Sequence, residues 1–224
     1  MCRILAYLGK KPIAIGDLLD KPENSLLNQS RKVHAGTMEL NADGVGISWY
    51  EPSIDNIPGI YKSTRPAWND NNLQHIANKV KSTCFLGHIR ASSVGDVNLH
   101  NCHPFRAEQY SFVHNGNIDG FTNFKRKLVN KLTDKTYDLL KGQTDSEHYF
   151  LLLLDKLFKG TLGDLSLAKT CKQIPNIIKQ IQKMQQKNDV TKLNTVLTDG
   201  QQLLATRYIS DSSAKPLSLY YSLG

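Results

Sequence analysis

The sequence predicts an α+β fold in which helices pack on the faces of antiparallel sheets. Strand-like stretches come first, three helical stretches follow, and strand-like stretches close the chain. Asp199-Gly200 separates two alternating stretches, which is a strong hairpin signal. No repeat or linker divides the 224 residues, so the whole chain, 1–224, is predicted to be one domain.

Strands and short helices are predicted in the first half of the chain. "CRILAYLG" is a buried strand that starts at Cys2 and ends at Gly9, and "IGDLLDKPENSLLNQSRK" has helical spacing broken at Pro22. "NADGVGISWYE" and "GIYKSTRPAW" are expected to pair as antiparallel strands, and "NDNNLQHIANKVK" is a polar helix. The apolar run in "TCFLGHIRAS" predicts a core strand that delivers Arg90 at its end.

Helices are predicted to dominate the second half. "SVGDVNLHNCHPF" is a loop, and "YSFVHNGNI" is a strand that ends in an Asn-Gly step. The helices are "FTNFKRKLVNKL", "TDSEHYFLLLLDKLFKG" and "KQIPNIIKQIQKM", and the second begins with Thr144 and Glu147 at the spacing of a capping box. "LNTVLTDGQQLLATRY" and "PLSLYYSLG" are the closing strands.

Composition narrows the class of protein. Hydrophobic residues make up 40% and charged residues 21%, as in ordinary globular proteins. The absence of a membrane-spanning apolar run and of a secretory pattern predicts a cytoplasmic protein without a membrane partner. The four cysteines are spaced for neither a disulfide scaffold nor a zinc site, so reduced thiols and no metal are expected.

The net charge of +8 raises the alternative of a non-catalytic protein that binds nucleic acid. The basic residues concentrate in "FKRKLVNKLTDK" and "KQIPNIIKQIQKMQQKND", which are typical of solvated helix faces. No aromatic platform for bases lies among them, so nucleic acid is the less favoured partner. This alternative requires binding that weakens steeply with salt.

Cys2 directly follows the initiator methionine. Aminopeptidases remove the first residue when the second is small, which would leave a thiol and a free α-amine on Cys2. The two groups have ordinary pKa values of about 8.5 and about 7.7 to 8.0, so the amine is able to take the thiol proton near neutral pH. Cys2 is therefore a candidate nucleophile that carries its own base.

Several motifs in order carry a resemblance: "MCRI", "NADGVGISWYE", "GHIRAS", "NCHPF", "VHNGNI" and "TDSE". With them the chain resembles the class II glutamine amidotransferases, which are N-terminal nucleophile hydrolases. It is most similar to small stand-alone members such as the amidohydrolase of ergothioneine biosynthesis and its bacterial relatives. The resemblance is strong over residues 1–150 and implies a four-layer αββα sandwich.

The resemblance also implies catalytic roles. Cys2 would attack the γ-amide of glutamine or of a γ-glutamyl compound and form a thioester, releasing ammonia or an amine. The Asn115 side-chain amide and the Gly116 backbone N–H would hold the oxyanion. No cofactor is implied. The alternative within the family is a glutaminase subunit that delivers ammonia to a separate synthetase.

Three further residues are implied to bind a small-molecule substrate. Arg90 would clamp its α-carboxylate in a bidentate fork, Asp145 would pair with its α-ammonium, and the Ser93 hydroxyl would touch the carboxylate. The leaving group is expected to contact loops such as "STRPAWNDNN", where Trp68 is more simply a packed loop residue.

The histidines near these motifs are predicted to order loops and shape the pocket rather than to act as bases; they are His88, His103 and His114. His100 and Cys102 are assigned to loop and core. Ala91 stands where ammonia-channelling members carry an aromatic residue, which puts channelled amination in doubt.

Relatives of this size continue past the segment that matches "LYYSLG". The resemblance therefore predicts a fold that lacks C-terminal strands, in a chain that is either naturally shorter or shortened. An unpartnered strand edge invites pairing with another chain, which leads to the hypothesis of a homodimer.

Overall fold

The chain forms two antiparallel sheets of four strands each in a computed structural model that describes residues 2–31, 43–91, 95–158 and 167–223. In the first sheet the order is β1-β4-β2-β3, with β1 (Arg3–Ala14), β2 (Val45–Trp49), β3 (Gly59–Ser63) and β4 (Lys81–Ile89). In the second sheet the order is β5-β6-β7-β8, with β5 (Phe105–Ala107), β6 (Tyr110–Ile118), β7 (Thr191–Thr198) and β8 (Leu203–Ile209). The helices are α1 (Gly16–Leu19), α2 (Leu26–Arg31), α3 (Asn71–Lys79), α4 (Phe121–Val129), α5 (Asp134–Tyr137), α6 (Asp145–Phe158) and α7 (Leu167–Gln182).

The sheets pack face to face with helices on both outer faces. Leu86 of the first sheet meets Val113 and Val196 of the second, and Ile4 and Ala6 join them. Apolar side chains on the outer face of the first sheet pack with α1, α2 and α3, and those of the second pack with α4, α6 and α7. The predicted four-layer αββα sandwich is confirmed.

Strand β1 continues past the predicted end at Gly9. Its pairing with β4 becomes irregular between Leu8 and Ile13 and then resumes. The Tyr7 ring lies against Gly9, where an added Cβ would collide with it, and the Tyr7 hydroxyl donates to the Lys11 carbonyl at 2.8 Å. A glycine therefore marks a local irregularity within one strand rather than its end.

Strand β6 has the bounds of the predicted strand "YSFVHNGNI", but the Asn-Gly step expected to end it lies within it. Asn115 and Gly116 pair with Asn194 and Leu193 of β7, and the strand reaches Ile118. Pairing on β7 thus overrides the local turn signal of an Asn-Gly step. The predicted hairpin at Gly200 is confirmed, since β7 and β8 are antiparallel neighbours and Gly200 has a φ of 90°.

The predicted strand in "PLSLYYSLG" is wrong for the described residues, because 211–223 contain neither helix nor strand. This segment is instead held by side chains: Asn194 Nδ2 donates to the carbonyls of Leu217 and Ser218 at 3.2 and 3.0 Å, and Arg207 Nε donates to that of Leu217 at 2.9 Å. The unpaired strand that motivated a homodimer is absent there, and the oligomeric state stays a prediction.

None of the helices within the described ranges has the length and apolar character needed to cross a bilayer.

Candidate active site

The antiparallel register of β1 and β4 brings Cys2 to the end of β4. Arg3 lies opposite Ile89, so Cys2 falls beside the residues that follow β4. The Ala91 N–H donates to Cys2 Sγ at 3.3 Å, and the thiol in turn lies 3.4 Å from the Ala91 carbonyl oxygen. These contacts position the sulfur next to Arg90, although the two residues are 88 positions apart in the sequence.

The side chains of Cys2 and Arg90 point into the space between the sheets. Alternate residues of a strand share one face, and Ile4 and Leu86 belong to the cluster between the sheets. Cys2 is two residues before Ile4, and Arg90 is four residues after Leu86, so each side chain lies on the same face of its strand as that apolar residue. The period of two therefore directs both functional groups toward the second sheet.

A pocket of about 20 Å³ lies where these groups meet. Its lining includes the predicted residues Cys2, Arg90, Gly116 and Asp145, together with His103, His114 and Ser146. A volume of this size holds about one water molecule. Binding of a glutamyl group thus requires the surrounding side chains to move apart.

Asp145 is the first residue of α6 and is 4% exposed. Its carboxylate accepts the N–H groups of Ile118 and Ser146, each at 2.8 Å. The N-terminus of a helix also attracts negative charge. A negative charge is thereby held at one end of the pocket by backbone groups.

The start of α6 is capped as predicted, with one difference. Thr144 Oγ1 accepts the Glu147 N–H at 3.2 Å, which is half of a capping box. The Glu147 carboxylate does not return the bond to Thr144 but accepts the N–H groups of Lys141 and Gly142 at 3.0 and 2.7 Å. These bonds tie down the segment that presents Asp145.

Arg90 is 3% exposed and supplies the positive charge of the pocket. Its guanidinium donates to the carbonyls of Gly95 and Asp96 at 3.2 and 3.3 Å. These two backbone carbonyls orient the cation. Ser93, the third predicted substrate-binding residue, lies outside the described residues.

Burial raises the pKa of the Cys2 thiol. The Ala91 N–H, the chain's terminal ammonium and Arg90 lower the pKa, and Asp145 raises it, but removal from water dominates. The resting sulfur is therefore a neutral thiol, and a nucleophilic role requires a base beside it.

Gly116 presents its backbone N–H at an open edge of β6. Strand β5 pairs only with 110–112, so from Val113 onward β7 is the sole strand partner of β6 among the described residues. The His114 carbonyl and the Ile118 N–H point away from β7, toward His88 and Asp145 respectively. Alternate residues direct their backbone groups to the same side, so the Gly116 N–H points there too.

Glycine is also required at position 116 by packing. An added Cβ would collide with the Lys192 carbonyl oxygen and with the ring of His114. The close approach of β7 and this ring thus excludes a side chain. The glycine that predicts a turn from sequence serves here as a point of close packing within a strand.

The three histidines near the pocket, His88, His103 and His114, are buried, and His88 and His114 form hydrogen bonds. His114 Nε2 donates to the Lys192 carbonyl at 2.9 Å, and its Nδ1 accepts the Ser146 hydroxyl at 2.8 Å. His88 Nε2 donates to the His114 carbonyl at 3.1 Å, and its ring stacks on His103 with centroids 4.0 Å apart. Burial lowers the pKa of His88 to about 3 and also lowers those of His103 and His114, so all three rings are neutral.

These contacts suit the predicted positioning role, because His114 has no free ring nitrogen and His88 is stacked beneath His103. His100 lies in a short 3-10 turn, and Cys102 is buried, as the sequence predicted. All four cysteines are free.

Asn115 lies apart from the small pocket and lines a neighbouring cavity of about 620 Å³. Arg3 and Leu26 line the same cavity, as do Leu217 and Tyr220 of the C-terminal segment. The predicted loop "STRPAWNDNN" contributes to neither cavity, and Trp68 lies in a 3-10 turn at 67–69. Sequence patterns offered no signal for the C-terminal segment, because only the fold brings it beside Asn115.

A comparison of the sequence with protein families finds one that covers most of the chain. The family described as "Glutamine amidotransferases class-II" matches residues 23–215. The matched range contains Arg90, Asn115, Gly116 and Asp145, and it begins after Cys2.

Curated relatives show two levels of similarity. The Saccharomyces cerevisiae protein named "Probable glutamine amidotransferase DUG3" is 36% identical over 244 aligned residues, which cover 100% of this chain and 68% of that protein. The γ-glutamyl-hercynylcysteine sulfoxide hydrolase of Mycobacterium tuberculosis is 32% identical over 123 residues, covering 53% of this chain and 50% of its own.

Solved structures with the same arrangement include a glutamine aminotransferase class-II domain protein from Silicibacter pomeroyi. It is 29% identical with a TM-score of 0.67, and the match covers 95% of this chain and 79% of that one. The glutamine phosphoribosylpyrophosphate amidotransferase of B. subtilis shares the fold at 15% identity and a TM-score of 0.54, covering 88% of this chain and 35% of that one.

Proposed function

The chain belongs to the class-II glutamine amidotransferases, and from this premise we propose that Cys2 hydrolyses the γ-amide of glutamine or of a γ-glutamyl compound through a thioester. The observation that carries the proposal is the shared pocket of Cys2, Arg90 and Asp145. It combines a nucleophile with one buried cation and one buried anion, which match the two charges of a free amino-acid end.

Substrate binding follows from these two charges. The Arg90 guanidinium, oriented by carbonyl oxygens, takes the α-carboxylate, and Asp145 takes the α-ammonium. Arginine suits the first task because its planar donors match a carboxylate in a fork. Both charged groups are held by backbone bonds, so they are oriented before the substrate arrives, while the side chains around them move apart to admit it.

Attack on the γ-carbonyl requires a base, since burial raises the pKa of the Cys2 thiol. Removal of Met1 would expose the α-amine of Cys2, which takes the thiol proton as the S–C bond forms. The same proton then passes to the leaving nitrogen as the C–N bond breaks. Water next attacks the thioester, releases the γ-carboxylate and restores the thiol.

The tetrahedral intermediate carries an oxyanion that needs donors. The Gly116 N–H points to the open edge of β6, and the Asn115 side chain lies on the cavity side of the same strand. Loss of one such donor typically costs about a hundred- to a thousandfold in rate.

The cavity of about 620 Å³ beside Asn115 favours an amide with a substituted nitrogen over glutamine itself. The broken bond places the leaving amine on the side away from Arg90 and Asp145, and ammonia would leave most of this cavity unfilled. Delivery of ammonia to a separate synthetase is the less favoured alternative, and the cytoplasmic location stays a prediction.

Intact-mass spectrometry with 6-diazo-5-oxo-norleucine, a glutamine-like alkylator, tests the mechanism. The expected result is a protein that lacks Met1 and gains one adduct at Cys2, with no adduct on Cys2→Ala. Cys171→Ala, which removes an exposed thiol, is the matched control and should be labelled like the wild type. A protein that retains Met1 and still hydrolyses γ-amides would overturn the proposed base.

A further inference from the structure

A second cavity, which we call the basic cleft, lies where the edge strands of the two sheets come together. It has a volume of about 350 Å³. Lys62 of β3 lines it from the first sheet, Arg106 of β5 from the second, and Lys141 from the segment before α6. None of these residues lines the Cys2 pocket, so the cleft is a separate feature.

Positive charge prevails in the basic cleft. Lys62, Arg106 and Lys141 are three cations, and Glu147 is the only carboxylate that lines the cleft within the described ranges. The Glu147 carboxylate is already bonded to the Lys141 and Gly142 N–H groups. Its negative charge offsets one cation and leaves an excess of two.

The Lys62 ammonium has no ion-pair partner among the described residues, and it lies 5.2 Å from the centroid of the Phe105 ring. Burial lowers the pKa of Lys62 to about 8, with Cys102 and Glu147 opposing that change. A bound anion would stabilise this ammonium, because its opposite charge compensates for the hydration that the ammonium loses on burial.

Arg106 is the second cation placed to bind an anion. Its guanidinium is oriented by one hydrogen bond, in which Nη1 donates to the Pro58 carbonyl at 3.2 Å. It forms no ion pair with any residue that the structure describes. The remaining N–H donors of a guanidinium suit the oxygens of a phosphate or carboxylate. Two cations from different sheets are thus placed to bind one anionic group.

The cleft is also lined by apolar side chains, which include Phe105, Phe150 and Leu139. Cavities of this size are at the lower end of those that bind small molecules. Apolar and cationic side chains that line one cavity suit a molecule with an apolar body and one anionic group.

We propose that the basic cleft binds a small organic anion, with its phosphate or carboxylate on Lys62 and Arg106 and its apolar body against Phe105 and Phe150. The ligand is a compound other than the amide substrate, because Lys62 lies on β3, at the opposite edge of the first sheet from β1, which begins beside Cys2.

Isothermal titration calorimetry at low ionic strength and neutral pH tests this site with phenyl phosphate, benzoate, inorganic phosphate and benzyl alcohol. Phenyl phosphate or benzoate is expected to bind at one site per chain, more tightly than inorganic phosphate or the neutral alcohol. The stronger of the two identifies the anionic group. Failure of both to bind saturably at millimolar concentrations would overturn the proposal.

Variants locate the site. Lys62→Met and Arg106→Gln should each weaken binding about tenfold or more, as expected for loss of a charge-assisted hydrogen bond. Lys183→Met makes the same charge change at an exposed residue outside the cleft and should bind within twofold of the wild type. Equal binding by all three variants would refute the assignment, as would loss of binding in Cys2→Ala.

Discussion

The Cys2 pocket and the basic cleft are both lined by residues of the segment 141–147, yet they hold charge in different ways. In the pocket, backbone carbonyls orient Arg90 and backbone N–H groups bind Asp145. In the cleft, Lys62 and Arg106 face a cavity about seventeen times larger with few bonds to the protein (~350 against ~20 Å³). Charged groups that are oriented in advance suit a catalytic site, because they need not reorganise during the reaction. The cations of the cleft have few bonds within the protein, so their donors remain available to a bound anion.

The contrast implies that substitutions in the Cys2 pocket reduce turnover and that those in the basic cleft do not. Three substitutions test this difference, taken from the largest expected effect to the smallest, and a fourth tests the acid stability of the fold.

Asn115→Ala should lower kcat for γ-amide hydrolysis by about a hundred- to a thousandfold, because one oxyanion donor is removed. Steady-state release of the amine measures the effect. Asn117→Ala is the matched control: it removes a carboxamide two residues further along the same face of β6 and should stay within about threefold of the wild type. A loss in Asn115→Ala no greater than in this control would exclude Asn115 from the oxyanion site.

Arg90→Lys should raise KM for glutamine by about ten- to a hundredfold, because lysine keeps the charge and loses the fork that matches a carboxylate. The fall in kcat should be smaller. Arg106→Lys makes the same change in the basic cleft and should leave KM within twofold. An unchanged KM in Arg90→Lys, with thermal unfolding like that of the wild type, would remove Arg90 from substrate binding.

Acid should destabilise the fold through its buried neutral histidines. Burial lowers the pKa of His148 to about 4, whereas an unfolded histidine titrates near 6.5. The unfolded state therefore holds more protons between these values. The free energy of unfolding is therefore highest above the unfolded pKa. As the pH drops from there toward the folded pKa, it decreases by about 1.4 kcal/mol per pH unit for each such histidine.

His148→Asn should reduce this dependence by about 1.4 kcal/mol per pH unit, while its amide replaces the bond that His148 Nδ1 donates to the Thr144 carbonyl. Urea unfolding at neutral pH and between the two pKa values measures the slope. A slope equal to that of the wild type would show that His148 is not the titrating group.

Lys62→Met should have the smallest effect on catalysis, with kcat/KM for γ-amide hydrolysis within twofold of the wild type. The residue lines the basic cleft and not the Cys2 pocket, so the two regions are expected to act separately. A tenfold loss of turnover in Lys62→Met would mean that the two regions are coupled through the segment 141–147.

The elements that the sequence predicted correctly are those with local signals. Pro22 ends α1 and precedes α2, and Thr144 caps α6. The alternating stretches around Gly200 form the expected hairpin. Each signal acts within a few residues, so it can be recognised without knowing what the segment packs against.

The errors lie where tertiary contacts override local preference. Asn115-Gly116 favours a turn in isolation, but pairing along β7 keeps both residues within a strand. The stretch after residue 210 has the composition of a strand, yet Asn194 and Arg207 hold it through the carbonyls of Leu217 and Ser218. Composition does not specify which neighbour will be available.

Through the resemblance that its ordered motifs carry, the sequence alone predicted that one candidate site contains Cys2, Arg90, Asn115, Gly116 and Asp145. Only the tertiary structure decided how they meet. The register of β1 on β4 brings Cys2 beside Arg90, and the open edge of β6 exposes the Gly116 N–H. The physical reason is that such contacts join residues far apart in sequence, and they form only when distant strands pair within each sheet and the two sheets pack against each other.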